Sequence, residues 1–232
     1  MYFLEGNQGV GKSTFLKLLN KHLPQIEIQL EPLENWQKKR HGQSLLKNFF
    51  DDISRWSYTI DSFTLMCRVK EHLINQQHKN LNRLLERSIY SGYYGYAMAG
   101  YQLGGMTEME WQLYNEWFDY LTTNCKTPVG FIYLRSEPEI AFARAKKRGR
   151  AEESSCTLDF FKLLGKLHDN FLIDKSYVKP EIKNIPVLIL DCDQEFEANE
   201  NVLASHLDKI QQFLLDTQVQ VQTKNTQANL SK

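Results

Sequence analysis

The chain has 232 residues, 42% hydrophobic, 24% charged and 12% aromatic, enough apolar material for one sizeable core. That balance excludes collagenous, coiled-coil and disordered classes. Lys plus Arg and Asp plus Glu number 28 each, so no overall field holds nucleic acid or an anionic membrane nonspecifically, and any basic patch is local.

Residues 2–5 form a short apolar run, broken by a glycine-rich turn. Residues 13–23 follow with Phe15, Leu16, Leu18 and Leu19 on one helical stripe, which predicts strand, loop and helix. Residues 26–30 alternate and end on Glu31-Pro32, where proline forbids continued helix, so Glu31 is placed at a strand's carboxyl end. Residues 43–85 read as mostly helical, with Leu45, Leu46, Phe49 and Phe50, then Trp56, Ile60, Phe63, Thr64 and Cys67, at intervals of three or four; two helices parted near 51–54 are predicted. A short strand at 83–86, an aromatic helix at 107–122, a strongly apolar strand at 129–134 and a helix at 137–147 come next. That helix runs into the basic cluster Lys146-Lys147-Arg148-Gly149-Arg150, followed at once by Glu152-Glu153. A helix at 158–173, a strand at 185–190, an acidic loop at 191–199 and an amphipathic helix at 200–215 complete the pattern. Five strands alternating with helices predict an α/β fold, a parallel sheet covered on both faces. Residues 1–217 are read as one domain, and the polar stretch 218–232 as a disordered tail.

The opening residues lack a basic n-region, and no apolar run approaches the roughly 18 to 20 residues that span a bilayer, so a cytosolic protein is expected. Cys67, Cys125, Cys156 and Cys192 are far apart with no CxxC pair, which suggests reduced thiols rather than a zinc site or disulfides.

Gly6-Asn7-Gln8-Gly9-Val10-Gly11-Lys12-Ser13, followed by Thr14, matches GxxxxGK[ST] between a predicted strand and a predicted helix. In such a loop the glycines turn backbone N–H groups inward around phosphate oxygens, the lysine adds charge near the β and γ phosphates, and the serine offers a hydroxyl to Mg²⁺. A nucleoside triphosphate site is therefore expected. A guanine-reading Asn-Lys-x-Asp is absent from the later chain, which argues against a GTPase. Arg144, Arg148 and Arg150 lie within seven residues, as suits a lid that closes on a transferring phosphoryl group; a solvated helix end explains the same residues equally well.

Together with Glu31-Pro32-x-x-x-Trp36, the run 55–61 leading to Arg68, Glu86-Arg87-Ser88-Ile89-Tyr90-Ser91 and Arg144-x-x-x-Arg148-Gly149-Arg150-x-Glu152-Glu153, the loop resembles the deoxynucleoside kinase family, in the family's order over residues 2 to about 215. The resemblance implies a three-layer P-loop kinase fold with a five-stranded parallel sheet and an arginine-rich lid. It also implies ATP-dependent phosphorylation of a deoxynucleoside 5′-hydroxyl with Mg²⁺. Glu31 would then be the general base and Arg87 its partner at the 5′-hydroxyl, with Ser13 and Glu86 at the metal. Trp36, Ile60 and Tyr96 would sandwich the base, although each taken alone reads as core. Glu153 would bind the 3′-hydroxyl, Arg144, Arg148 and Arg150 the ATP phosphates, and residues 191–196 the adenine. A homodimer formed through helices is implied; the zero net charge, with the basic cluster assigned to the lid, argues against a nucleic-acid or membrane partner.

Three positions depart from the family's pattern. The family's base-reading glutamine is Asp61, the frequent Asp or Ala after Glu-Arg-Ser-x-x-Ser is Gly92, and Phe50 stands where a sugar-binding tyrosine is usual. An ionised aspartate only accepts, which suits the adjacent N1–H and N2–H donors of guanine, with Arg68 donating to O6, so a deoxyguanosine preference is predicted. Alternatively, Arg68 pairs with Asp61 and specificity is broad, and the room at Gly92 favours a thymine methyl. The rival readings are a nucleoside monophosphate kinase and a catalytically weak accessory subunit of the same fold. Retention of Lys12, Ser13, Glu31, Glu86 and Arg87 speaks against the second.

Overall fold

In a computed structural model, the structure describes residues 1–230 except Leu33, Lys79 and Leu81; the side chains of Trp36, Gln37 and 221–230 lie outside the description. Five parallel strands, β1 (Tyr2–Glu5), β2 (Glu27–Gln29), β3 (Arg83–Glu86), β4 (Gly130–Arg135) and β5 (Val187–Asp191), lie in the order β2-β3-β1-β4-β5. β1 is central. Alternate side chains of each central strand point to opposite faces, as the period of two requires. Tyr2, Leu4, Ile132 and Leu134 pack with Phe15, Leu16 and Leu19 of α1 (Lys12–His22) and Ile210 of the C-terminal helix. Phe3, Phe131, Leu85 and Tyr133 pack on the opposite face with Leu65 and Val69 of α4 (Ile53–Asn75), Tyr114 and Phe118 of α7 (Glu108–Thr122) and Phe171 of α9 (Leu158–Leu172). The predicted three-layer α/β architecture is therefore observed.

Local chemistry sets most boundaries. Thr107 caps α7 in a reciprocal capping box with Glu110. Asp52 caps α4 through the Arg55 N–H, parting it from α3 (Leu45–Asp51) where the helical pattern was expected to break. Pro138 opens α8 (Pro138–Arg148), and Gly149, left-handed at φ 66°, ends it. The short helices α2 (Glu34–Gln37), α5 (Ile89–Ser91), α6 (Met98–Gln102) and α10 (Pro180–Lys183) were not expected. Neither was the π-helical turn Gly92–Ala97 between α5 and α6.

The closing helix α11 (Glu200–Leu230) does not stop at 215. Thr217 is buried, its hydroxyl 2.7 Å from that of Tyr2, and Gln218 donates to Asn82, so tertiary contacts carry the helix past the 217/218 boundary drawn from composition. The remainder of the expected tail, from 221, lies outside the described side chains. Among the described residues, all four cysteines are free and no helix is long and apolar enough to cross a membrane.

Candidate active site

β1 enters the middle of the sheet and is bordered by β3 on one side and β4 on the other, so a crevice opens beyond its carboxyl end, where open parallel sheets bind ligands. The loop 6–11 crosses that crevice and delivers the chain to the N-terminus of α1. Two of its glycines are dictated by geometry. Gly9, at φ 76°, lies so close to α8 that a Cβ would stand 2.1 Å from the Ala141 carbonyl oxygen, and Gly11, at φ 97°, would meet the Phe196 ring at 2.8 Å. The loop carries its own internal braces. Lys12 Nζ donates to the Gly6 and Asn7 carbonyls (3.1 and 2.7 Å), and Asn7 donates to the Phe161 carbonyl (2.9 Å) while accepting from the Gln8 N–H. Val10 is fully buried beneath the loop. Burial, and then the neighbouring Arg87, lower the Lys12 ammonium to a pKa of about 7, against the opposing pull of Glu86 and Glu31.

A cleft of about 190 Å³ extends from this loop. Its floor holds Gln8, Gly9, Gly11, Lys12, Ser13 and Thr14; Glu31, Glu86 and Arg87 stand at the strand ends; Ile60, Asp61, Thr64 and Arg68 come from α4, and Leu46, Phe49 and Phe50 from α3. Tyr96 closes one wall, and Arg148, Arg150 and Glu153 form the lid edge. The predicted site residues thus converge, with six exceptions, of which Gly6 and Asn7, whose carbonyls accept from Lys12, do not line the cleft. Arg144 does not line the cleft, because one turn below Arg148 its guanidinium reaches the carbonyls of Cys192 (2.6 Å) and Asp193 (3.0 Å) and braces that loop. Gly92 does not line it either, since the space its missing Cβ leaves is filled by Arg68, whose Nη1 would be 2.6 Å from a Cβ there. Val10 lies in the core, and the Trp36 side chain lies outside the described residues.

The acidic and basic groups at the strand ends are interlocked. Glu31 Oε1 accepts from Arg68 Nη2 at 2.5 Å, and its Oε2 lies 3.3 Å from Arg87 Nε. Burial alone would raise the Glu31 carboxyl, yet Arg68 and Arg87 hold it below the ordinary glutamate value. Arg87 has left-handed backbone, φ 62°, a conformation that costs about 1–3 kcal/mol for a non-glycine residue. Its N–H on the Leu4 carbonyl (2.9 Å) and its Nη1 on the Gly6 carbonyl (3.1 Å) fix it there. Glu5, wholly buried below, accepts from the Ser88 N–H at 2.9 Å, and its burial raises its pKa. Glu86 accepts from Ser13 Oγ through both oxygens, 3.0 and 3.2 Å, and from the Glu31 N–H at 3.4 Å. This hydroxyl and carboxylate are hard oxygen donors facing the phosphate loop, a set that fits Mg²⁺ carried largely by a nucleotide's own phosphates. In the lid, Glu153 is buried and held by Arg148 (2.5 Å) and Arg150 (3.2 Å).

Asp61 behaves differently. It is 5% exposed, its Oδ2 has no hydrogen-bond partner among the described residues, and burial, only partly offset by Arg68, pushes its pKa up to about 8. The Arg68–Asp61 pair, given above as the alternative, is not the one formed, because Arg68 turns to Glu31. Thr64, Leu46 and Phe49 were not anticipated at the site, although Thr64 follows Ile60 by one turn and Leu46 and Phe49 share a face with Phe50, so helical spacing held the signal.

A phosphate loop, an interlocked carboxylate at the adjacent strand end and a basic lid over one cleft define a P-loop phosphotransferase. A sequence model of the family "Deoxynucleoside kinase" matches residues 3–215, and the chain belongs to that family. It is 36% identical over 220 residues to deoxyguanosine kinase, mitochondrial, of Xenopus laevis, covering 84% of this chain and 82% of the relative. It is 30% identical over 236 residues to deoxycytidine kinase 2 of Gallus gallus (91% and 89%) and 31% identical over 208 residues to thymidine kinase 2, mitochondrial, of Homo sapiens (89% and 76%). The chain is accordingly a transferase of the nucleoside-phosphorylating kind, and the monophosphate-kinase and accessory-subunit readings are not favoured.

Proposed function

We propose that the protein transfers the γ-phosphoryl group of ATP to the 5′-hydroxyl of deoxynucleosides, with deoxyguanosine preferred. The observation that carries this reading is Glu31, an ionised carboxylate held by two guanidiniums and tied through Glu86 and Ser13 to the phosphate loop. As the 5′-oxygen bonds to the γ-phosphorus, its proton passes to Glu31, and the bond from that phosphorus to the β-bridging oxygen breaks to leave ADP. Arg87 holds the hydroxyl beside Glu31, Lys12 and the loop N–H groups hold the phosphates, and Arg148 and Arg150 close over the transferring group. Ser13 and Glu86 would hold Mg²⁺, which supplies charge neutralisation on the phosphates. Ile60, Phe50 and Tyr96 flank the nucleoside, Glu153 reaches the 3′-hydroxyl, and the loop braced by Arg144, with Phe196 against Gly11, lies at the adenine.

Asp61 is the base reader. Neutral in the free protein, it offers one donor and one acceptor; a guanine bringing N1–H and N2–H favours its ionised form, and the 36% identity to a deoxyguanosine kinase agrees with that choice. The thymine reading loses its support because Arg68 fills the room beside Gly92. Met109, Leu113, Trp117 and Tyr120 form an exposed apolar stripe on α7 that suits the homodimer, and a cytosolic location is retained as part of this reading. Phosphate transfer from ATP-Mg²⁺ to the four deoxynucleosides in competition tests the reading: deoxyguanosine is expected to lead, and equal use of all four would remove the preference.

A further inference from the structure

We propose that Arg68 is a positioning residue for the acceptor carboxylate: in this chain it holds Glu31 rather than a nucleobase, and Gly92 is what allows it to do so.

Arg68 follows Asp61 by seven residues, two turns on one face of α4, so its guanidinium starts near both the base reader and the strand ends. It turns to the strand ends. The Nη2–Oε1 distance to Glu31 is 2.5 Å, with side-chain exposures of 11% and 9%, so water does little to weaken the pair. The other arm, Nη1, crosses Gly92, where any Cβ would lie 2.6 Å away and displace it. The Tyr96 ring backs both guanidiniums, 5.9 Å from Arg68 and 4.8 Å from Arg87.

Glu31 is consequently held at both oxygens from two independent elements, Arg68 of α4 and Arg87 after β3. The other ionisable groups around it are Glu86, which accepts its backbone N–H, Lys12 of α1 and Tyr96. Take Arg68 away and Oε1 loses its partner on α4, so the carboxylate can rotate off the hydroxyl's line. In a site where Arg68 served the base, its loss would weaken nucleoside binding; in this one it disturbs the proton acceptor.

The inference rests on the phosphotransfer reading, and two measurements separate the fates of the two. The position of the Glu31 carboxylate in crystals of ligand-free variants needs no activity: Arg68→Met is expected to free Oε1 and turn the carboxylate from its native place, Arg68→Lys to keep it beside the ammonium, and Gly92→Asp, which fills the space Nη1 crosses and offers Arg68 a second carboxylate, to draw the guanidinium off Glu31. In parallel, kcat should fall about tenfold in Arg68→Met while KM for the nucleoside changes less than about threefold, and Arg68→Lys should recover part of kcat. An unmoved Glu31 carboxylate in Arg68→Met, or a loss confined to nucleoside KM, overturns the assignment. Absence of transfer by the native protein would instead sink the phosphotransfer reading, and the crystals would still decide the Arg68–Glu31 relationship.

Discussion

Ser13 Oγ lies 3.0 and 3.2 Å from the two carboxylate oxygens of Glu86, joining the last residue of the phosphate-loop motif to the end of a neighbouring strand. Seventy-three positions separate the two in sequence. Their juxtaposition comes from the parallel register of β1 and β3, which sets Leu4 opposite Glu86.

The first prediction concerns that pair. Ser13→Ala and Glu86→Gln each remove one hard oxygen ligand and should weaken the Mg²⁺ dependence of transfer on the order of tenfold to a hundredfold, read as the Mg²⁺ concentration at half-maximal rate. Unaltered Mg²⁺ curves in both variants would place the metal elsewhere.

Lys12 has a pKa of about 7 in the free protein because it is buried and faces Arg87. Phosphate oxygens favour the charged ammonium and raise that value, so nucleotide binding at pH 7 to 8 takes up a proton. Calorimetry of ATP binding in buffers of different ionisation enthalpy should show this uptake, and Lys12→Met should abolish it. Equal apparent enthalpies in all buffers would mean that Lys12 is already charged.

Asp61 binds its proton more tightly folded, with a pKa of about 8, than its ordinary value of 3.8. Between those values the folded state holds more protons than the unfolded one, so stability declines as pH rises towards 8 and levels off above it. The urea midpoint of the native protein should fall between pH 5 and 9, and Asp61→Asn should flatten that fall. The same titration should alter base choice, deoxyguanosine gaining on deoxycytidine as Asp61 ionises. A native slope matched by the Asn variant would show that other groups carry it.

Arg144 braces the carbonyls of Cys192 and Asp193 and does not reach the cleft. Removing a charge-assisted, partly buried donor pair costs about 1.5–3 kcal/mol, so Arg144→Ala should raise KM for ATP about tenfold and leave kcat within about threefold of native. Arg150→Ala should do the reverse. A kcat collapse in Arg144→Ala would return it to the transferring phosphoryl group.

Much of this architecture is written locally in the sequence. The strands at 2–5, 83–86 and 129–134 are legible because an apolar run bounded by polar turns has few other solutions, and the phosphate loop because its glycines and Lys12 are contiguous. The basic cluster at 144–150 was legible as a group but not in its division of labour, because which arginine faces the cleft depends on where α8 ends and what lies one turn below. The partner of Arg68 was beyond local pattern: Glu31 is 37 positions away, and the choice between it and Asp61 turns on a missing Cβ at Gly92. The π-helical turn Gly92–Ala97 was equally hidden, since hydrogen-bond register within a helix leaves no periodic mark at this length. The end of α11 was misplaced because composition registers the polarity of Thr217 and Gln218 but not the Tyr2 hydroxyl and Asn82 amide they meet.

The central claim is that Glu31 accepts the proton of the attacking hydroxyl. Glu31→Gln keeps the side chain's shape and removes its basicity, so transfer from ATP-Mg²⁺ to deoxyguanosine should fall about a hundredfold or more while ATP affinity holds within about threefold. A variant that transfers phosphate at the native rate, with ATP bound as before, would contradict the account.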